Sequence, residues 1–510
     1  MNAIGFDNDK YLKLQSERIL ERIGMFENKL YLEFGGKLFD DYHASRVLPG
    51  YVPDIKVQLL KTLADKAEIV IVINASNIDS NKAIGDSGIS YDDDVLRLID
   101  EFKKKRLYMG SVVISQYLGQ PAADKFKDYL ESRGVTVYRM YHIPGTDYPG
   151  NIPLILSDQG YGNNDYIVTT RPLVVVTAPG PGSGKMAACM SQLYHEHKRG
   201  VKAGYAKFET FPIWNRPLKD MVNLAYEAAT ADLNDVNMID PFHLDAYGVS
   251  AVNYNRDIEV FPVLNAMFTR IWGESPYRSP TDMGVNMVGY CISDDAVCAE
   301  ASKQEIIRRY FYTKLDSTLG ISPKSALSKL ELLMSNSGFT ADERPPVTPA
   351  LKKASKTGGP CVAIALTDGT VITGKTSDLL GASSAALLNA LKYLAGIDDK
   401  VLLISPVIIE PIQKLKVGYL GNENPRLHTD EVLMALAIST VTNPTAELIL
   451  EQLPKLSGSQ AHSSVILSQT DSSVFRQLGV GLTCEPVYQN LRFFHKKSRR
   501  SFTSDSRTGA

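Results

Sequence analysis

The run Ala178-Pro179-Gly180-Pro181-Gly182-Ser183-Gly184-Lys185 constrains this chain more than any other segment. It follows a strand-like stretch, Leu173-Val174-Val175-Val176-Thr177, and leads into a helix-like stretch that starts near Met186, runs to about Arg199 and stops at Gly200. A glycine-rich turn between a buried strand and a helix N-terminus gathers backbone N–H groups at the positive end of the helix dipole, and a lysine adds a full charge. The run nearly fits the phosphate-binding pattern G-x-x-x-x-G-K-[ST]. It departs at two positions: Pro179 stands where the first glycine belongs, and Met186 replaces the hydroxyl residue that would hold Mg²⁺. Gly180, Gly182, Ser183 and Gly184 are therefore expected to offer backbone N–H groups to a phosphate, and Lys185 to neutralise it. The partner class is a phosphorylated small molecule, with a nucleotide such as ATP as the cofactor candidate. Mg²⁺ is left open, and no metal ligands are nominated.

The surrounding pattern is α/β. Strands are expected at Lys29–Phe34, Glu68–Asn74, Ser111–Ser115, Val135–Met140, Leu173–Thr177 and Ala203–Glu209. Ile69–Ile73 is apolar on both faces, as a central parallel strand requires. Helices fall between the strands. Asp94–Lys105 puts Val95, Leu98, Ile99 and Phe102 on one face, and Ala122–Arg133 ends at Gly134. This alternation predicts a doubly wound N-terminal domain over residues 1–215. Residues 216–340 read as a mainly helical domain or insertion, and 341–360, with Pro345-Pro346 and Pro349, as a linker. Residues 361–490 read as a smaller C-terminal α/β domain. There Asp368-Gly369 predicts a type I′ hairpin, followed by a helix at Ser383–Ala395 and a strand at Val401–Ser405. Residues 491–510 form a basic, flexible tail.

At 510 residues the chain exceeds one hydrophobic core. Its net charge of −2 gives no broad electrostatic drive toward nucleic acid or acidic membrane. Five scattered cysteines without a C-x-x-C pair fit a reducing, cytoplasmic setting rather than a disulfide framework. No apolar run approaches the ~18 residues of a membrane span. Homo-oligomerisation is expected only on grounds of size.

Acid–base candidates follow from position. Ligands gather at the carboxyl ends of strands in open α/β sheets, which brings Glu209 and Thr210 near the glycine-rich turn, together with Asn74–Asn77. His243, in the polar stretch Asn237–Gly248, and Asp282, in Ser279–Asn286, complete the expected opposing wall. Glu209, His243 and Asp282 are the catalytic candidates. Asp240 is a poor Walker-B match. His195-Glu196-His197 reads as a solvated helix end, because residues two apart on a helix face different ways. The alternative is a non-catalytic structural or interaction protein whose turn binds an anion incidentally or only serves the fold.

Several stretches resemble one bacterial family of unknown function, UPF0371 (DUF1846). They include Gly5–Tyr11, Leu32–Lys37, Asp41–Gly50, the glycine-rich turn, Lys207–Asn215 and Pro241-Phe242-His243. The resemblance implies cytoplasmic bacterial proteins with a P-loop-like segment and no assigned catalytic residues. Some members carry an ATP-dependent peptidase label, but no G-x-S-x-G elbow is present here and spacing nominates no cysteine–histidine dyad. The C-terminal domain is similar in layout to cytidine deaminases, with a hairpin ending at Gly374 and a helix starting at Gly381–Leu388. Those enzymes need His or Cys plus Glu there and a later P-C-x-x-C. Here the positions are Ser and Ala, and Ser405–Glu410 has no thiol, so zinc chemistry is not expected.

Overall fold

A computed structural model describes residues 3–27, 29–39, 41–82, 89–144, 151–233 and 235–489. The expected tail at 491–510 lies outside these residues. The chain divides into two compact units, Met1–Glu305 and Ile306–Ala510.

The first unit is built on a seven-stranded parallel sheet. Its strands are β1 (Leu30–Phe34), β2 (Ala67–Asn74), β3 (Met109–Tyr117), β4 (Thr136–Tyr141), β5 (Leu173–Thr177), β6 (Gly204–Phe208) and, after a small β7–β8 hairpin (Asn237–Ile239 and Val252–Tyr254), β9 (Gly284–Val285). The order is β4-β3-β2-β5-β1-β6-β9, with every pairing parallel. The central strands are apolar on both faces because helices cover both. All five residues of β5 are buried, as are seven of the eight in β2. Helix α1 (Tyr91–Lys104) turns Val95, Leu98, Ile99 and Phe102 inward, as their spacing predicts, and is capped by Ser90 ahead of three aspartates. Helix α2 (Lys185–Lys198) follows the glycine-rich turn.

Strand order locates the crevice. From β2 the chain works outward through β3 and β4; from β5 it works the opposite way, past β1, through β6 to β9. The sheet therefore reverses direction between β2 and β5, and such a reversal leaves an open crevice at the carboxyl ends of the two strands.

The region expected to be mainly helical does hold helices, among them α3 (Pro241–Tyr247) and α4 (Asn255–Trp272). It also supplies β9 to the main sheet, paired with Lys207 and Phe208 of β6. The short helix α5 (Pro280–Met283) precedes β9. The division between the units falls inside the helix Asp295–Thr318. Residues 341–360, read as a linker, hold a 3₁₀ turn at Ala341–Glu343 and a helix at Val347–Thr357. Pro349 sits in the first helical turn, where the missing N–H costs nothing.

The second unit carries a four-stranded mixed sheet of β10 (Cys361–Ala365), β11 (Val371–Lys375), β12 (Gln460–Ser463) and β13 (Gly481–Cys484), in the order β11-β10-β12-β13. Strand β10 runs antiparallel to both neighbours, and β12 runs parallel to β13. Helix α6 (Ala382–Ala395) lies directly on the β10–β11 hairpin. A Cβ at Gly374 would collide with the Ala386 backbone, so only glycine allows that approach. The hairpin turn is not type I′. Gly369 has φ +88° whereas Asp368 is not left-handed, and Leu366 N donates to Thr370 O. This is a three-residue loop closed by a left-handed glycine, the next commonest solution. Val401–Ser405 forms no strand. Leu403 and Ile404 instead plug the core, and Ser405 caps helix α7 (Pro406–Lys414). Leu403 and Ile404 are apolar because they are buried, not because they are paired, whereas Val401 and Leu402 are exposed. A π-helical turn (Leu415–Tyr419) extends α7, and helix α8 (Thr429–Ser439) packs beside it. Among the described residues, no helix is long and apolar enough to cross a membrane.

Candidate functional site

The glycine-rich turn occupies the reversal point. Thr177 ends β5, and Asn74 ends β2 next to it. Two side chains from neighbouring strands and one of its own shape the turn. Asn74 Nδ2 donates to Gly182 O (3.3 Å), Ser115 Oγ from β3 donates to Ser183 O (2.7 Å), and Ser183 Oγ donates back to Gly180 O (2.8 Å). Gly182 and Gly184 have φ of +78° and +89°, the left-handed region that favours glycine. A Cβ at Gly180 would strike the Tyr91 hydroxyl, and one at Gly184 would lie 2.8 Å from Ser115 Oγ. The carbonyls are thus tied back into the protein, and the start of α2 carries no side-chain cap. Lys185 is half-buried and makes no hydrogen bond or ion pair among the described residues. Uncapped N–H groups and an unpaired lysine at one helix start form an electropositive cradle.

A second polar group lies toward the β9 edge. Lys207 Nζ on β6 pairs with Glu209 (2.6 Å) and with Asp257 of α4. Glu33, in the otherwise apolar β1, accepts from Tyr205 Oη at 2.7 Å. Burial works against the Lys207 ammonium, but Asp257, Glu209 and Glu33 outweigh it and hold its pKa above the ordinary value. Burial also lifts the Glu209 carboxyl, to about 7; Lys207 opposes the rise, and Asp257 and Glu33 add to it. Three carboxylates share one lysine, so a proton is the cheapest way to relieve the excess negative charge. Lys207 and Glu209 line a narrow pocket with Trp214, Asn253, Thr281 and Asn286.

Beside that pocket, His243 Nδ1 lies 3.0 Å from Ser279 Oγ and 3.7 Å from Asp282 Oδ1. Asp282 Oδ2 also accepts from Tyr247 Oη (2.8 Å) and from Arg278 N (2.9 Å). The three residue types of a hydrolase triad are present, but serine and aspartate meet the same ring nitrogen. A triad needs them on opposite nitrogens. Ser279 is also occupied as the cap of α5, its Oγ accepting from Asp282 N at 3.1 Å. Nor do four of the five cysteines offer a nucleophile. Burial pushes Cys298 up to about 12, Cys291 and Cys484 to about 11, and the wholly buried Cys189 well above its ordinary value. A thiol held protonated is inert.

The predicted residues thus fall into two groups. Gly180, Gly182, Ser183, Gly184 and Lys185 stand at the end of β5. Glu209 stands two strands away, and His243 and Asp282 gather beside β9, three strands away. No hydrogen bond or ion pair joins the groups among the described residues. Asp240 caps α3 through Phe242 N and His243 N and accepts from Thr281 Oγ1 (2.6 Å), which occupies it structurally. The solvated helix end expected at His195–His197 is corrected in part. His195 and Glu196 are buried, with Glu196 accepting from Tyr31 Oη at 2.6 Å, and only His197 is exposed. The last turn of α2 is covered by Tyr161 and Tyr166, which sequence spacing does not reveal. Ser115, Tyr91 and Glu33 were missed. A carboxylate inside the buried strand Leu30–Phe34 was the available signal for Glu33.

The family model for the N-terminal domain of unknown function DUF1846 matches residues 4–338, and its C-terminal counterpart matches residues 342–494. The chain belongs to the UPF0371 (DUF1846) family. A UPF0371 protein of Streptococcus pyogenes serotype M5 is 58% identical over 496 residues, covering 97% of this chain and all of the relative. One from Streptococcus thermophilus is 56% identical over the same span and coverage. Membership in UPF0371 establishes kinship along nearly the whole chain, and the family description assigns no reaction.

Proposed function

We propose that this UPF0371 protein binds a nucleotide or another phosphorylated small molecule at Gly180–Lys185. The observation that carries the reading is the half-buried, unpartnered Lys185 at an uncapped helix start, beside the reversal point of the sheet. At about 4.8 Å per strand, the end of β6 lies ~10 Å from the end of β5. An extended phosphorylated metabolite covers that distance, so Glu209 faces its far end, with His243 and Asp282 beyond. A carboxyl poised near neutrality is suited to proton transfer, and turnover, ATP-dependent or otherwise, would use it. With no hydroxyl at Met186, the phosphate would rest on backbone and lysine rather than on a metal held by the turn.

A second reading keeps the turn structural. Its favouring observation is that the carbonyls of Gly180, Gly182 and Ser183 are all satisfied inside the protein. The two readings separate in a thermal-shift screen of nucleotides and phosphorylated metabolites on wild type and Lys185→Ala. A ligand that binds only the folded state raises the melting temperature by mass action. A hit that the variant loses supports the phosphate site. A broad panel without a hit leaves the structural turn.

For the second unit we propose a deaminase-like scaffold without zinc chemistry. The β11-β10-β12-β13 order and a helix laid on the first hairpin support the layout. The start of α6, Ala382-Ser383-Ser384, offers no histidine, cysteine or glutamate. Five cysteines without a disulfide among the described residues fit a cytoplasmic setting.

A further inference from the structure

The second unit turns two apolar stripes outward. On α7 and its π-helical extension, Val407, Leu415 and Tyr419 recur on the face opposite the core-facing Ile409. On α8, Met434 and Ile438, and Val441 just beyond, recur at i, i+4 and i+7 opposite the buried Val432, Ala435, Leu436 and Ser439. Their exposures run from 52% at Leu415 to 85% at Val441. The two helices pack side by side, and Lys416 Nζ ties them by donating to Glu431 Oε2 at 2.8 Å. The two outward stripes therefore stand on neighbouring helices of the same unit.

Magnitude decides that this is more than scattered surface leucine. At those exposures, six side chains of this size present roughly 700 Å². The largest apolar patch on a typical monomer is about 300–600 Å², and each partner in a standard interface contributes about 800 Å². A second copy that covered both stripes would therefore bury nearly the apolar area that a stable dimer needs.

The charges around it favour a second copy of this chain over an unrelated partner. Glu410 and Lys414 are exposed on the outward side of α7, one turn apart, and neither makes an ion pair among the described residues. An antiparallel crossing of two copies of α7 centred on Ile412 sets Glu410 against Lys414 twice. It also sets Val407 against the Leu415–Tyr419 turn. A two-fold interface requires this kind of self-complementarity.

We propose that the α7–α8 face is the interface of a two-fold homodimer, with α7 crossing its copy antiparallel. The test uses the full-length protein and light scattering coupled to size exclusion, from low micromolar concentration upward. Wild type is expected at twice the chain mass. The double variant Met434→Lys/Ile438→Lys is expected at the chain mass, with its melting transition retained because both side chains face solvent. Glu410→Lys alone and Lys414→Glu alone should each weaken the dimer, and the two together should restore it. This charge-reversal set still reads the interface if the lysine double variant fails to fold. A monomeric wild type at the highest concentration overturns the proposal. So does a dimer indifferent to the lysine pair, or a double reversal no tighter than the single ones.

Discussion

Ser115 Oγ donates to the carbonyl of Ser183 at 2.7 Å, so the end of β3 fixes the glycine-rich turn that follows β5, two strands away. Ser183 is 1% exposed, and water cannot replace this donor. Ser115→Ala should leave a buried carbonyl unpaired and cost about 1–3 kcal/mol. Gly184→Ala should cost at least as much. It forces a side chain into φ +89° and brings its Cβ to 2.8 Å from the same hydroxyl. Urea unfolding of the two variants measures both costs. A neutral Ser115→Ala would show that the turn is not held from β3.

A ligand held by the turn should not need a metal there. Met186 stands where the P-loop hydroxyl would bind Mg²⁺, while the backbone N–H groups and Lys185 remain. A thermal shift given by a phosphorylated ligand should therefore persist in excess chelator. It should fall with Lys185→Ala, because losing a charged hydrogen bond worth about 1.5–3 kcal/mol weakens binding roughly ten- to a hundredfold. Abolition of the shift by chelator would place a metal in the site and point to ligands outside the turn.

The two groups of site residues differ in how legible they were. Strand, turn and helix around Lys185 could be read from local pattern, because a buried strand, left-handed glycines and a helix start are each encoded within a few residues. The pairing of Lys207 with Glu209 is equally local. By contrast, Ser115 reaches the turn only through sheet order and Tyr91 only through the packing of α1, and no short stretch encodes either. Asp257 meets Lys207 from 50 residues away. Leu403 and Ile404 look like a strand because burial and pairing select the same residues, and only tertiary packing separates the two. Buried Glu196 escaped for the opposite reason: it is polar, and its burial depends on Tyr31 from β1.

Glu209 should leave a mark on the pH dependence of stability. Its carboxyl is lifted to about 7 when folded, above its ordinary value of about 4.3. Between those values the folded state holds a proton that the unfolded state has lost, so this group's contribution falls as pH rises through the window and levels off above it. Glu209→Gln keeps the shape and removes the titration. Relative to wild type, the variant should gain stability progressively from pH 4.5 to 7, as read from melting temperatures across that range. A constant difference would mean that Glu209 is ionised throughout, its charge carried by Lys207.

The second unit carries a separate titrating knot, where the starts of α8 and of the helix Gln469–Gln477 meet. Asp471 accepts from Thr429 N (2.9 Å) and Thr429 Oγ1 (3.0 Å) at the start of α8, and from Ser468 Oγ (2.8 Å). His428 Nδ1 lies 3.0 Å from Asp471 Oδ2, the oxygen that Ser468 also meets, while Thr429 holds Oδ1. Lys416 and Glu431 are the remaining charges that act on His428. The hydrogen bond to Asp471 raises the imidazole's pKa, with burial opposing. Burial opposes ionisation of Asp471 as well, but His428, the Thr429 N–H and Ser468 together bring its carboxyl down to about 2. The signs differ. The raised histidine stabilises fully below its unfolded value near 6.5 and loses that contribution as pH climbs through its folded value. The depressed aspartate stabilises above its unfolded value near 3.9 and loses that contribution as pH falls toward 2. Asp471→Asn should therefore cost most between about pH 4 and 6.5, on the order of 1–3 kcal/mol, because the aspartate is buried but the histidine is partly exposed to solvent. The cost should shrink on the acid side and decline in part on the alkaline side, where the bonds to Thr429 remain. His428→Gln should remove only the alkaline step. Melting curves of the three proteins from pH 3 to 9 resolve both steps. If the His428→Gln curve runs parallel to wild type across neutrality, the histidine is uncharged in the folded protein, and Asp471 serves only as a shared cap for the two helices.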